Sequence, residues 1–252
     1  MPPLKLYELD NIEGQSTSPF VWRIKFALQK KGIAYDNAPT GFFGIPRIGR
    51  GRIGSDTVKT VPVVEHDGRF VSESWAIAEW LDEAFPDLPR LFSSPAELAM
   101  GKFFDKWFGT AVLPPMFRSC VYQIFEHVRP EEREYFRATR ERMFKQTLEA
   151  VAADSDMYIA RMREALLPMR LALRRDPYLG GDQPNYADHI AWGAFVGFSY
   201  IVEKPLLAPD DPLHAWVERG TALAKACSFT ARRACARFPY FRSLERPAPR
   251  KH

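Results

Sequence analysis

All of the strand-like sequence in this 252-residue chain lies before residue 73, and everything after the proline-rich stretch at 86–95 has helical spacing. That asymmetry predicts a mixed sheet-and-helix unit followed by a helical one, and excludes a single alternating α/β domain. Residues 4–9 (LKLYEL) alternate apolar and polar, as a short strand does. Ser18 and Pro19 then open a helix, since serine is a favoured N-cap and proline suits the first helical position. Val21, Ile24 and Leu28 share one face of it, Arg23, Lys25, Lys30 and Lys31 project elsewhere, and Gly32 ends it. A second strand is expected at 33–38, then a Gly-, Pro- and Arg-rich loop at 39–60 with one short helix. The β-branched run Thr60–Val64, the Asp67-Gly68 turn and residues 69–71 predict a hairpin. The segment ESWAIAEWLDEAF, with Ile77, Leu81 and Phe85 on one face, predicts a helix.

PDLPRLFSSP, at 86–95, carries three prolines and two serines and reads as a linker. Helices are expected at 96–125, 131–153, 155–176, 186–203 and 212–228, with Pro114-Pro115 breaking or sharply kinking the first. The domains so delimited are 1–88, whose element order is that of a thioredoxin-like α/β domain, and 96–246, all-α. The length is enough for each to bury a core.

Composition narrows the function classes. Lys and Arg number 35 against 31 Asp and Glu, a net charge of +4 that lacks the dense basic stripe of a dedicated nucleic-acid binder. Cys120, Cys227 and Cys235 make an odd set with no CxxC, which fits reduced thiols in a cytoplasmic setting. The N-terminus has no apolar signal core, and HIAWGAFVGFSYIV is too short for a membrane span; it reads as a helix buried on all sides. The five histidines show no metal-ligand spacing, so no metal is expected, and His189 reads as a core residue. Gly49-Arg50-Gly51-Arg52-Ile53-Gly54 matches G-x-G-x-x-G, but no strand precedes it and no helix follows, so it is not a dinucleotide fingerprint.

Three short motifs carry chemistry. Ser18 begins a helix, where unpaired N–H groups give partial positive charge. The residue is an ordinary cap, and the same hydroxyl and helix end can hold a thiolate. Lowering a free thiol's pKa of about 8.5 by two units takes about 2.7 kcal/mol. A hydrogen bond to a charged group supplies roughly 1.5–3 kcal/mol and the helix end up to about 2. Val61-Pro62 is either a trans edge-strand proline or a cis bond that presents the Val61 backbone to a peptide-like ligand. Glu73-Ser74 caps the next helix; the same pair can receive an ammonium and a carboxylate. Each motif alone is explained by capping or by an edge strand. Their joint order and spacing suit one tripeptide-shaped ligand.

At these residues the chain resembles a glutathione transferase over nearly its whole length. SPFVWRIKFALQKKGI, TVPVVEHDG, SESWAIAEWLDEAFP and LGGDQPNYADHIAWGAF carry the likeness, the last with Asn185 and Asp188 as a structural capping box. The SPxVWR helix start, the GFFGI loop and GGDQPNYAD look most like bacterial β-aryl etherases and fungal etherase-type transferases. The resemblance implies glutathione as co-substrate, cleavage of lignin-derived β-O-4 aryl ethers with release of a phenol, and a homodimer that binds neither membrane nor nucleic acid. General conjugation of other electrophiles, as in detoxification, and non-catalytic binding of aromatic molecules are the alternatives. Serine at Ser18, where omega-type members carry cysteine, argues against thiol exchange; Thr17 is the neighbouring candidate for the sulfur contact. Val61, Pro62, Glu73 and Ser74 are the expected glutathione residues, with Lys59 or Arg52 on the glycyl carboxylate. Phe43, Phe104, Trp107, Phe108 and Phe117 are the expected lining of a pocket for a hydrophobic aromatic acceptor.

Overall fold

The computed structural model describes residues 3–50 and 58–230. Four short strands form one mixed sheet: β1 (Leu4–Leu9), β2 (Tyr35–Thr40), β3 (Val63–His66) and β4 (Arg69–Ser72), in the order β2-β1-β3-β4. β1 and β2 pair in parallel, which requires the crossover helix α1 (Pro19–Lys31) between them; the β1–β3 and β3–β4 pairs are antiparallel. β2 runs two residues later than its alternation suggests and includes Pro39, opposite Glu8, which an edge strand tolerates because one side of its backbone needs no partner. The short helix expected in the following loop is a single 3-10 turn, Ile45–Arg47. Helix α2 (Ser74–Ala84) completes this half.

The second half is helical throughout its described residues, from α3 (Pro95–Trp107) onward. Pro114 and Pro115 do not break the first helical stretch. A π turn, Phe108–Val112, precedes them, and they occupy the first turn of α4 (Leu113–His127), where a missing N–H costs nothing. The two long helices expected next are each divided: α5 (Arg133–Phe144) and α6 (Leu148–Ala153) by left-handed Lys145, then α7 (Ser155–Ala165) and α8 (Leu167–Ala172) at the turn before Pro168. α9 (Tyr186–Ser199) begins with the expected capping box of Asn185 and Asp188 and is buried from Tyr186 to Phe198. α10 (His214–Thr230) packs on α9 and α1. No described helix is long and apolar enough to cross a membrane.

α1 departs from its amphipathic reading. Its start and end are as expected, with Ser18 capping and Gly32 left-handed at φ 68°. Its charged side chains, however, do not face water. Arg23, Lys25 and Lys31 are buried, paired with Asp105, Glu8 and Asp82. Those partners stand on α3, β1 and α2, while the apolar helix α9 is laid across the side of α1 that carries Pro19, Trp22 and Phe26.

Candidate functional site

The start of α1 is held from two sides. The Trp22 indole donates to the Ser16 carbonyl at 2.7 Å, fixing the approach of the chain. On the other side α9 comes close through glycine: a Cβ on Gly193 would stand 2.5 Å from the Pro19 carbonyl oxygen, and one on Gly197 3.1 Å from that of Thr17. Ser18 is half-buried, and its hydroxyl accepts the Val21 N–H at 3.4 Å, a long bond that engages the hydroxyl weakly. Ser16 is buried with no partner for its hydroxyl.

From α1 a chain of contacts, beginning at Arg23, reaches the other two motifs. Arg23, on the next turn but one, extends Nη1 to Asp105 Oδ1 at 2.7 Å and to the Ser74 hydroxyl at 3.4 Å, while its Nε has no partner. Ser74 is the first residue of α2, and its carbonyl accepts the buried Tyr186 hydroxyl at 3.1 Å. Glu73, before it, is held at φ 71°, a left-handed conformation that costs a non-glycine residue of order 1–3 kcal/mol. Its exposed carboxylate accepts from Thr60 Oγ1 at 3.1 Å. Thr60 adjoins the Val61–Pro62 bond, which is cis, and the β1–β3 ladder starts only at Val63. Arg23 of α1, Ser74, Glu73 and Thr60 therefore form one connected patch: an exposed carboxylate, a buried guanidinium and the N-terminus of α2. Lys59 is exposed, and Arg52 lies outside the described residues, as do residues 51–54 of the glycine-rich 49–54 segment.

Of the aromatic residues expected to line a pocket, Phe108 is turned inward. Phe108 is fully buried, so it cannot line an open pocket; it packs with Phe104 and Trp107 as a cluster in which the other two remain half-exposed. Phe117 is held between Phe144 and Phe198. Phe43 is exposed against Tyr135, with its N–H donated to buried Glu132 at 2.8 Å. Beside Thr17 lies a shallow, solvent-open recess lined by Leu9, Asn11, Thr17, Phe42, Ile124 and His127. Arg23 and Asp105, which the motif reading did not single out, join the patch at Ser74, and Asn11 lines the recess beside Thr17. The available signal for Arg23 was its place between Trp22 and Ile24, in a run too apolar for a helix covered on one face.

Burial pushes the Tyr186 phenol up, so it stays neutral and donates. Burial also pushes the Cys120 thiol up, which leaves it unreactive. The His189 imidazole is pushed down to about 3 by burial and then by nearby Lys30, and stays neutral in the core as its sequence context suggests. Among the described residues no cluster of side chains could hold a metal ion.

Residues 14–89 match the family model for the N-terminal domain of glutathione S-transferases, and residues 99–205 that for the C-terminal domain. The chain is 27% identical over 207 residues to glutathione S-transferase omega-1 of Mus musculus, covering 79% of this chain and 71% of the relative. It is 32% identical over 108 residues to glutathione S-transferase U3 of Arabidopsis thaliana, a match that spans about half of each chain, at 43% and 48%. Among solved structures, glutathione transferase GSTFuA3 of Phanerochaete chrysosporium superposes with a TM-score of 0.74 at 22% identity, covering 91% and 98% of the two chains. A glutathione S-transferase of Ceriporiopsis subvermispora in complex with glutathione gives 0.76 at 20% identity, covering 90% and 98%. The two structures share this fold.

Proposed function

Because the chain belongs to the glutathione S-transferase superfamily, we propose that it is a glutathione-dependent transferase whose thiol-activating residue is Ser18. The observation that carries this reading is the contact chain from α1 to Ser74, Glu73 and Thr60. The patch suits the tripeptide. Glu73 presents a carboxylate to an ammonium. Arg23 keeps an unpartnered buried N–H beside the start of α2, where backbone donors favour an anion. Val61, outside the ladder, offers its backbone to the peptide, and Lys59 lies within reach of charge attraction to a terminal carboxylate. Ser18 and the N-terminus of α1 hold the sulfur as a thiolate, because the hydroxyl is only weakly engaged by its cap bond. Thr17, lining the adjacent cleft, is the second group near it.

For the acceptor we propose an aromatic β-aryl ether. The etherase-like motifs, serine rather than cysteine at Ser18, and the apolar walls of the cleft beside Thr17 support it. The bound tripeptide supplies a nucleophilic sulfur: a C–S bond forms as the C–O bond to the aryloxy group breaks, and the electron pair leaves with a phenolate that solvent protonates. A phenol has a pKa of about 10, so the chain need only position the reactants and exclude water. Exposed Met100 and Phe103 on α3 support the expected homodimer.

The test is Ser18→Ala. The ultraviolet thiolate absorbance of bound glutathione should titrate at higher pH, and release of phenol from a fluorogenic β-aryl ether should slow at least about tenfold. An unchanged thiol titration would remove Ser18 from the mechanism. Release from simple electrophiles but not from either ether enantiomer would keep the transferase and discard the etherase.

A further inference from the structure

Glu73 is a one-residue junction whose neighbours on both sides are fixed. Ser72, before it, ends β4 and pairs with Val63. The two residues after it open α2 and are gripped from the second half of the molecule. The Ser74 carbonyl accepts the Tyr186 hydroxyl from α9 at 3.1 Å. The Trp75 ring meets Tyr186 edge-on, with centroids 5.5 Å apart, and Phe92 of the linker at 5.3 Å; Phe92 and Tyr186 are themselves 5.1 Å apart. α3 closes on the same ring through Gly101, where a Cβ would stand 3.3 Å from Trp75 Cη2. The Glu73 carbonyl accepts the Ile77 N–H at 2.9 Å, so the hydrogen-bond ladder of α2 begins at Glu73 itself. A non-glycine residue at φ 71° persists only where its surroundings over-determine it, and here that means a strand on one side and an interdomain grip on the other. The capping box of Asn185 and Asp188 starts α9 without using the Tyr186 hydroxyl, which is spent wholly on Ser74.

We infer that Tyr186 is a positioning residue for ligand recognition: reaching across from α9, it holds the first turn of α2 so that Glu73 presents its exposed carboxylate to the α-ammonium of the tripeptide. The inference rests on the glutathione reading above. Tyr186 is buried and acts only through Ser74 and Trp75. Without its hydroxyl the start of α2 loses its tie to the second half, and Glu73 is released toward the negative φ that a side chain prefers. A carboxylate displaced in that way loses the directed contact with an ammonium, whereas the thiol end of the ligand, at α1, is untouched.

Two tripeptides test it. Glutaryl-cysteinylglycine is glutathione without the α-ammonium, and the two are otherwise alike. By calorimetry the wild-type chain should bind glutathione at least about tenfold more tightly, the scale of one hydrogen bond to a charged group. Tyr186→Phe keeps the ring contacts and removes the hydroxyl. It should cut that preference at least about threefold, while the thiol of bound glutathione titrates as in the wild type. Trp75→Leu, which removes the gripped ring from the other side, should act in the same direction, so the question survives if one variant fails to fold. A preference left whole in either variant, or affinities for both tripeptides that fall alike, would make Tyr186 a packing residue only and overturn the inference. Glu73→Gln separates this from the site itself: removing the charge should cut the preference at least as far. A wild type without the preference, or Glu73→Gln that keeps it, would remove the ammonium contact and this inference with it. If neither tripeptide bound the wild type, the glutathione reading would fall as a whole.

Discussion

Two buried charges, one in each half of the molecule, are handled in opposite ways. Asp188 in α9 is 0% exposed, and its carboxylate accepts the N–H groups of Leu179, Gly180 and Asn185 and the indole N–H of Trp216. Those four donors use the acceptor capacity of a carboxylate in full. Arg23 in α1 is 2% exposed, is bonded through Nη1 to Asp105 and Ser74, and keeps Nε without a partner. A saturated buried charge ties elements together and has nothing left for a ligand. Arg23 keeps one donor unpaired beside the N-terminus of α2, so the two charges differ in saturation rather than in burial.

The largest test of that contrast is Asp188→Ala. It strands three backbone donors and an indole, and should lower stability in urea by about 3–5 kcal/mol. A loss below about 1 kcal/mol would mean that the four bonds are not the anchor they look to be. Arg23 should divide its effects differently. Arg23→Lys keeps a charge opposite Asp105 but loses the planar fork. Glutathione affinity should fall about tenfold, while stability falls by no more than about 1 kcal/mol. Lost stability with unchanged affinity would place Arg23 beside Asp188 as a purely structural charge.

Gly193→Ala probes the contact between the two regions. Its methyl group meets the Pro19 carbonyl and the Arg23 N–H, backbone atoms that cannot swing aside, so about 1–3 kcal/mol should be lost along with turnover. Gly197→Ala, with a 3.1 Å approach to Thr17, should cost less on both readouts. The smallest effect at neutral pH belongs to His189. Burial keeps it neutral in the folded state down to about 3, whereas the unfolded chain takes up a proton below about 6.5. Its folded pKa is the lower one, so the unfolded state binds more protons across that window, and stability is lost as pH falls through it. The slope is about 1.4 kcal/mol per pH unit. His189→Phe, which preserves the stack on Phe26 and Trp192, should flatten the slope between pH 7 and 5 in urea titrations.

How much was legible follows the range of each interaction. The order of elements in the sheet half, the caps at Ser18 and Gly32, the hairpin at Asp67-Gly68 and the Asn185–Asp188 box were all readable, because each depends on residues within a few positions of one another. Helix division in the second half was less readable: Lys145 carries no glycine or proline mark, yet takes the left-handed conformation that ends α5. Among the aromatic residues expected to line a pocket, Phe108 was misread. Phe108 has the same spacing as its aromatic neighbours, and only the packing of α3 and the π turn sends it inward.

The sequence by itself determined the order of strands and helices in the sheet half, the helical character of the second half, and the caps at Ser18, Gly32 and Asn185. Those outcomes come from backbone capping and local periodicity, whose energies are settled within one or two turns. The tertiary structure alone decided that α1 is covered on both faces, that Arg23 meets an aspartate 82 residues away, and that Thr17 and Asn11 come to line one recess with Ile124 and His127. Whether a charge or an amide finds water, a carboxylate or no partner at all depends on the element packed across from it, and no local pattern encodes that neighbour.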